Sequence, residues 1–435
     1  MNSAKLPHVR RIHVYLEAAN PTGNRLLLGT LALSGARIGF QQSVQLQETS
    51  LRLSPFHLPV PTSTLHFIDV GHAHLFFGLH GVFGDSLPDG WGLMLMDRAL
   101  RRADPTFGSP TGLDRLAWIG KRALGAMTYE PEIDGASSGA ALDIEKLAEE
   151  SEALHAGDES PDEVLTRLSQ AGGSPGGARP KAVLCIEWQK TPRGKKEDGS
   201  GVSYVKSAAY DSARPPPKHE RWLIKFHASS DSNDDSLVEH TYLEGAARAG
   251  IPAASTRLVG NASGTKLWIA SKRFDVDSKG LPLHVHSLAG LLHENFRLCT
   301  LDYSTYLKAV RALTRSQKQV EIGFALAAFN VLLSNRDDHA KNFSFVMDAR
   351  GEWSVAPAYD LTYSVGPGGE HSMTVLGEGR RPKQSHLFDL AKVCDVPPGV
   401  AKAFVHKVLE TKEWISRELA GKGVSSQHGS RRLEV

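Results

Sequence analysis

Apolar and polar residues alternate through residues 11–80 in four runs, IHVYLEA, RLLLGTLAL, RIGFQQS and HLFFGLHG. A period of two turns one face of each run toward a core. Four strands are therefore predicted, broken by turns at Pro-Thr-Gly-Asn and Ser-Gly-Ala-Arg. GDSLPDGWGLMLMDRALRR reads as a turn feeding a helix from about Gly90. LAWIGKRALGAMTYEP predicts a further strand pair, with bends at Gly120 and Gly125. AVLCIEW, RWLIKFH, STRLVG and KLWIASKRF form a second group of strands. Among them lies the helical LVEHTYLEGAARAG, with Ser236 as N-cap and Gly250 and Pro252 as stop signals. From about Val285 the period becomes helical, in SLAGLLHENF, YSTYLKAVRAL, EIGFALAAFNVLL, HLFDLAKVC and VAKAFVHKVLETKEWISREL. One hairpin interrupts them, NFSFVMDARGEWSVAPAYD, turning at Ala349-Arg350-Gly351.

This order predicts an α+β chain with a β-rich unit over 1–130, a connector over 131–164, a mixed lobe over 165–276 and a helical lobe over 277–425. Residues 130–163 hold twelve acidic residues and one basic, Lys146. They read as a solvated connector with one or two short helices. The polar, proline-rich stretch 189–221 reads as a long hairpin insertion between AVLCIEW and RWLIKFH. At 435 residues, the chain can bury two or three cores. Fifty basic residues against 48 acidic leave a net charge of +2, which argues against a broad nucleic-acid or membrane footprint. Three scattered cysteines argue against a disulfide framework or a zinc ribbon and fit a reducing compartment. No apolar run approaches the ~18 residues that span a bilayer. The first residues lack the apolar core of a secretory signal, so a cytoplasmic protein is expected. The tail GVSSQHGSRRLEV is expected to fray.

Candidate chemistry gathers in three segments. NRDDHAKNFSF, at 335–345, leaves a strongly apolar helix as a polar loop, with Asp337 and Asn342 five positions apart. Phosphoryl transfer needs these two roles side by side. A carboxylate accepts the proton of the acceptor hydroxyl, and a neutral oxygen helps hold magnesium. Asp360 follows in APAYDLT and offers a charged magnesium ligand. Clusters of Asp and Asn also make turns and caps. A rival reading takes Asp337, Asp338 and His339 as ligands of a metal-dependent phosphohydrolase; His286, His293 and His371 are available, but at spacings that fit no such site. QAGGSPGGARPKAVL, at 170–184, reads either as a flexible linker or as a glycine-rich loop over phosphates. The abrupt return to a strand at Lys181 favours the loop. Lys225, on the apolar strand RWLIKFH, reads as an edge-strand lysine or as a phosphate contact. Glu239 is its candidate ion-pair partner, but Ser236-x-x-Glu239 also reads as a capping box, and the two readings stay level. A mixed region with a glycine-rich loop and a lysine, followed by a helical region with acids, is the order of a two-lobed phosphotransferase.

With these residues in place, the chain resembles the HipA family of bacterial serine/threonine toxin-kinases over roughly residues 10–420. GVFGDSLPDGWG and LAWIGKRALGAM look like the family's N-terminal region, and GGSPGGARPK like its mobile loop. LIKF looks like its ATP lysine and KRFD like its hinge. NRDDHAKNFSF and APAYDLTYS look like its catalytic and metal-binding segments. The resemblance implies a two-lobed kinase-like fold that uses ATP and magnesium. It makes Asp337 the catalytic base, Asn342 and Asp360 the magnesium ligands, and Lys225 a contact of the ATP phosphates, with Lys181 also at the nucleotide. The backbone around Lys272 and Phe274 would hold adenine, and His339 and Tyr359 would line the nucleotide site. Ser174 matches the loop serine that family members autophosphorylate. A small DNA-binding antitoxin is the implied partner, and a protein serine, in relatives that of an aminoacyl-tRNA synthetase, the implied acceptor. Direct DNA contact and membrane association are not expected. The chain departs from the family at Arg179-Pro180, where Gln-Glu is usual, and in the 189–221 insertion. An alternative keeps the fold without turnover, as a kinase-like scaffold regulating a DNA-binding partner. The intact set of Lys225, Asp337, Asn342 and Asp360 argues against it.

Overall fold

The computed structural model describes residues 8–17, 24–58, 64–133, 141–172, 176–189, 201–211 and 215–424. Ser174, residues 190–200 of the insertion and residues 425–435 of the tail lie outside the described residues.

The N-terminal alternation forms a five-stranded sheet. Its strands are β1 (Arg11–Leu16), β2 (Leu26–Ser34), β3 (Arg37–Gln42), β4 (His66–Phe67) and β5 (Met127–Glu130), in the order β4-β3-β2-β1-β5. Ile12, Val14 and Leu16 of β1 point inward at every second position, as the period requires. HLFFGLHG is not a strand. Ala73–Phe76 makes a 3₁₀ turn, in which only Phe76 is buried, and Phe77 takes a positive φ of 54° that ends it. The LAWI half of the expected strand pair is helical too. Helix α1 spans Gly90–Ala103 and α2 spans Gly112–Ile119, the latter capped reciprocally by Thr111 and Asp114. That cap outweighs the local β pattern.

The acidic segment is not a solvated connector. β6 (Ala141–Leu142) joins the edge of a second sheet, and α3 (Ile144–Ala156) buries Ile144, Leu147, Ala148 and Leu154. Its acids flank that buried stripe of an amphipathic helix: Glu149 is exposed, while Glu150 pairs with Arg167 and Glu152 with Lys266. α4 (Asp162–Gly172) packs beside it and leads toward the glycine-rich loop. The second sheet continues with β7 (Lys181–Trp188), β8 (Val202–Ser203), β9 (Val205–Tyr210), β10 (Glu220–Lys225), β11 (Thr256–Gly260) and β12 (Leu267–Lys272). Its order is β6-β9-β7-β10-β12-β11-β8. The insertion is therefore not a plain hairpin, because it contributes two strands. β9 pairs with β7 on one side, and β8, one residue earlier in the chain, pairs with β11 at the far end. Helix α5 (Asn233–Arg248) starts at Ser232, whose N–H donates to Asp235 at 2.9 Å. Ser236 lies buried within the first turn and is not the cap.

The helical lobe holds α6 (Tyr303–Thr314), α7 (Gln317–Leu332), α8 (Gln384–Val393) and α9 (Pro398–Gly421). Its short strands are β13 (His284–Ser287), β14 (Leu301–Asp302), β15 (Ser344–Met347), β16 (Trp353–Val355) and β17 (Met373–Thr374). β15 and β16 are the expected hairpin, turning at Gly351 with φ 84°. The architecture is a two-lobed α+β fold carrying an N-terminal sheet. Among the described residues, no helix is long and apolar enough to cross a membrane.

Two cores organise the molecule. One runs from the N-terminal sheet (Ile12, Phe40, Tyr129) into the helical lobe (Tyr303, Phe324, Phe345). The other fills the mixed lobe and takes Trp91 and Leu95 from α1. The first core includes a close backbone approach. Gly81 faces Gly290 so closely that a methyl group there would fall inside the Gly290 carbonyl. Gly81→Ala is expected to cost about 1–3 kcal/mol by overpacking. Thermal unfolding checks this, with Gly399→Ala, which meets nothing within 4 Å, as the neutral control.

Candidate nucleotide and phosphoryl-transfer site

β10 is the central strand of the mixed lobe. Its antiparallel pairing with β7 places Lys225 directly opposite Lys181. Two ammonium groups in register repel each other unless anions lie between them. Here Lys225 donates to Glu239 at 2.6 Å and also contacts Asp360. The cap at Ser232 leaves Glu239 unused for capping, so the choice left level by the sequence falls to the ion pair. Burial opposes the Lys225 charge, but the Asp360 and Glu239 carboxylates outweigh it and hold the ammonium well above the ordinary lysine range. Asp360 is held far below the usual carboxylate range: burial pushes it up, and Lys225 and then Lys181 overcome that. Glu239, 2% exposed, is pushed up by burial against the pull of Lys225. Burial pushes Lys181 down to about 8, with Asp360 opposing and Lys225 adding to the shift.

Asp360 adopts φ 56°, a left-handed conformation that costs an L-residue roughly 1–2 kcal/mol and that Asp tolerates better than most. The chain reaches it from the β15–β16 hairpin and turns the carboxylate toward Lys225. Asn342 lies in the short turn after α7. Its side-chain N–H donates to the Asp337 carbonyl at 2.8 Å, which leaves the amide oxygen for a cation. The Asp337 side chain is 55% open to the cavity, yet the surrounding walls still desolvate its carboxylate and raise it, with His339 opposing and Asp360 adding to the rise. His339 Nε2 stands 3.8 Å from it. His339 Nδ1 is buried without a hydrogen-bond partner. Tyr359 stacks on Phe274 at 5.3 Å and donates its hydroxyl to the Lys341 carbonyl at 2.6 Å. The Lys272 ammonium turns outward to Glu220 at 2.6 Å, and its N–H donates to the Ser255 carbonyl at 2.8 Å.

A single cavity of about 490 Å³ gathers these groups. Lys181, Lys225, Glu239, Lys272, Phe274, Asp337, His339, Asn342, Tyr359 and Asp360 all line it. Its size suits a nucleotide-sized ligand. Two lysines, two oxygen donors and an orphaned imidazole nitrogen form a donor set that fits a polyphosphate with a hard divalent cation. Asp338 turns the other way. It is 1% exposed and accepts from Tyr303 (2.7 Å), His371 Nδ1 (2.8 Å) and the Ser372 N–H (2.7 Å). It anchors the end of the 366–371 loop to the 335–345 segment, and its oxygens are taken up by these bonds rather than turned toward the cavity. His286 is likewise engaged, with Asp85 at 2.6 Å. Among the described residues, no group of three or more His, Cys, Asp or Glu side chains is arranged to hold a metal.

Residues 173–415 match the HipA-like C-terminal domain, and residues 23–130 match the HipA N-terminal domain. The chain belongs to the HipA family. The fold of this HipA-family chain is similar to that in the toxin–antitoxin complex of HipA, HipB and operator DNA from Shewanella oneidensis MR-1. The match has a TM-score of 0.65 at 16% identity and covers 97% of this chain and 94% of that one. The Helicobacter pylori proinflammatory kinase CtkA matches at TM-score 0.31 and 13% identity, over 49% of this chain and 91% of its own. No curated protein matches the chain. Several wall residues of this cavity were not singled out in the sequence, among them Asp85, Asp89, Arg297 and Lys341. GDSLPDGWG marks the first two as belonging to a shared motif, yet nothing local ties that motif to residues two hundred positions away.

Proposed function

We propose that this protein is an ATP- and magnesium-dependent serine/threonine protein kinase acting as a growth-arresting toxin. The observation that carries this reading is the Lys225 ammonium held between Glu239 and Asp360 in the cavity that Asp337 also lines. Lys225 and Lys181 would hold the phosphates, and the Phe274–Tyr359 pair would flank the base. Asn342 and Asp360 would bind magnesium, which when bound neutralises charge on the phosphate oxygens. Asp337 would take the proton of a serine hydroxyl as the serine oxygen bonds to the γ-phosphorus. The bond from that phosphorus to the bridging oxygen breaks, and ADP leaves. A raised carboxyl pKa makes Asp337 the stronger base for this transfer. Ser174 is the proposed acceptor within the chain. A separate protein, of the aminoacyl-tRNA synthetase class, is the proposed acceptor in trans. A small DNA-binding antitoxin is the proposed partner, a reading supported by the HipB in the Shewanella complex.

Incubation with γ-labelled ATP and magnesium tests the reading. Label on Ser174, found by peptide mapping and lost with a chelator, is the expected result; an unlabelled parent chain overturns it. The rate should also depend on pH. Asp337 is active as a base only when ionised, so transfer falls on acidification through a pKa above that of an ordinary aspartate. A pH–rate profile flat down to pH 4 would exclude Asp337 as the base.

A further inference from the structure

The proposed catalytic groups come from the mixed and helical lobes, yet the cavity has a third wall. Asp85, Ser86, Leu87, Asp89 and Gly90 of the N-terminal unit line it beside Gly176, Gly177 and Ala178 of the glycine-rich loop. The two carboxylates of that wall face different ways. Asp85 accepts from the Ser287 N–H at 2.7 Å, the Ser287 hydroxyl at 2.6 Å and His286 Nδ1 at 2.6 Å, which fixes the wall to the helical lobe. Asp89 is 7% exposed. It accepts from the Gly177 N–H and from Lys341 Nζ, the latter at 2.8 Å and from 252 residues away in the catalytic loop.

The loop is gripped from both sides. The Trp91 N–H donates to the Gly177 carbonyl at 3.1 Å, and Lys181 donates to the Gly176 carbonyl. The fit is close: a methyl group on Gly90, which has φ 45°, would lie 2.5 Å from the Gly177 carbonyl oxygen. Glycines have no side chains to pack, so the position of this loop rests on its backbone partners. Among them, a buried carboxylate makes the strongest kind of bond. Burial alone would raise Asp89; Lys341, the Gly177 amide and Lys181 outweigh it and hold the carboxyl below the usual range.

We propose that Asp89 is a positioning residue for phosphoryl transfer, holding the glycine-rich loop as the roof of the nucleotide site and aiming Lys341 into it. The N-terminal unit thereby completes the kinase site. This rests on the kinase reading above. Asp89 contacts no reacting atom and acts through Gly177 and Lys341.

The test uses the full chain. Asp89→Asn is expected to weaken MgATP binding by about tenfold or more, as befits the loss of one charge-assisted contact. KM for ATP rises with it, while kcat at saturating ATP falls less and the melting temperature stays near that of the parent. Amide exchange at Gly176 and Gly177 accelerates. Lys341→Met, approaching from the other side, produces a similar loss. The double variant is no weaker than the worse single, because both changes break one contact. Parental ATP binding in Asp89→Asn, additive losses, or tighter binding (a carboxylate competing with phosphate) would each overturn the assignment. A parent chain that binds no ATP overturns the kinase reading and this assignment together. A parent that binds ATP beside an unaltered Asn variant overturns the assignment alone.

Discussion

Asp337→Asn is expected to slow phosphoryl transfer by about 10²- to 10⁴-fold while leaving MgATP binding close to that of the parent. The amide keeps the shape of the carboxylate and removes its basicity. Asp337 is the most exposed of the site carboxylates, its side chain 55% open, so little folding energy rests on it. Its backbone carbonyl still accepts from Asn342, which keeps the catalytic loop in shape. Initial rates with labelled ATP and a titration of nucleotide binding, made on the same preparation, check both halves. A variant that transfers phosphate at the parental rate would remove Asp337 from the chemistry. One that loses binding and transfer together would make it a structural residue.

Lys225→Met should act on folding as well as on function. Methionine fills the volume of the stem but leaves Glu239, almost fully buried, without its cation. Removing one partner of a buried pair typically costs about 3–5 kcal/mol. ATP binding should be lost with it. The stability deficit should also depend on pH in a definite direction. Glu239 is already raised by burial, and without Lys225 it rises further. A carboxyl raised in the fold binds protons more readily there than in the unfolded chain, so its protonation stabilises the fold. The variant should therefore regain stability as pH falls through the raised Glu239 value, narrowing its gap to the parent between pH 7 and pH 5. Denaturant unfolding at the two pH values checks this. A gap that widens on acidification would place the charge elsewhere.

How much of this was legible in the sequence depends on the distance over which each signal acts. The Asp337-to-Asn342 spacing lies within one loop, and Asp360 follows the hairpin that carries it. Local pattern therefore sufficed to bring both forward as candidates, and all three residues line one cavity. Lys225 and Glu239 are 14 residues apart, and the ambiguity there came from misplacing the helix start by one turn, at Ser236 rather than Ser232. HLFFGLHG misled for the opposite reason. Its apolar residues alternate acceptably, but the buried ones, Phe76 and Leu79, are three apart, and the left-handed Phe77 between them breaks the period of two. The acidic helix was misread because counting charges ignored their arrangement around Leu147 and Leu154. Asp89 and Lys341 were out of reach altogether. Their pairing depends on how an N-terminal helix docks between two lobes, and no local pattern encodes that.

The path of residues 202–210 has a mechanical consequence. Because β8 and β9 follow one another through Tyr204 while pairing toward opposite ends of the second sheet, the chain there acts as a covalent clasp between those ends. The end strands β6 and β8 are only two residues each, so neither offers a long rim for an extended peptide, and strand addition is poorly suited to recruiting partners on this lobe. A single nick at Tyr204 would open both flanks at once.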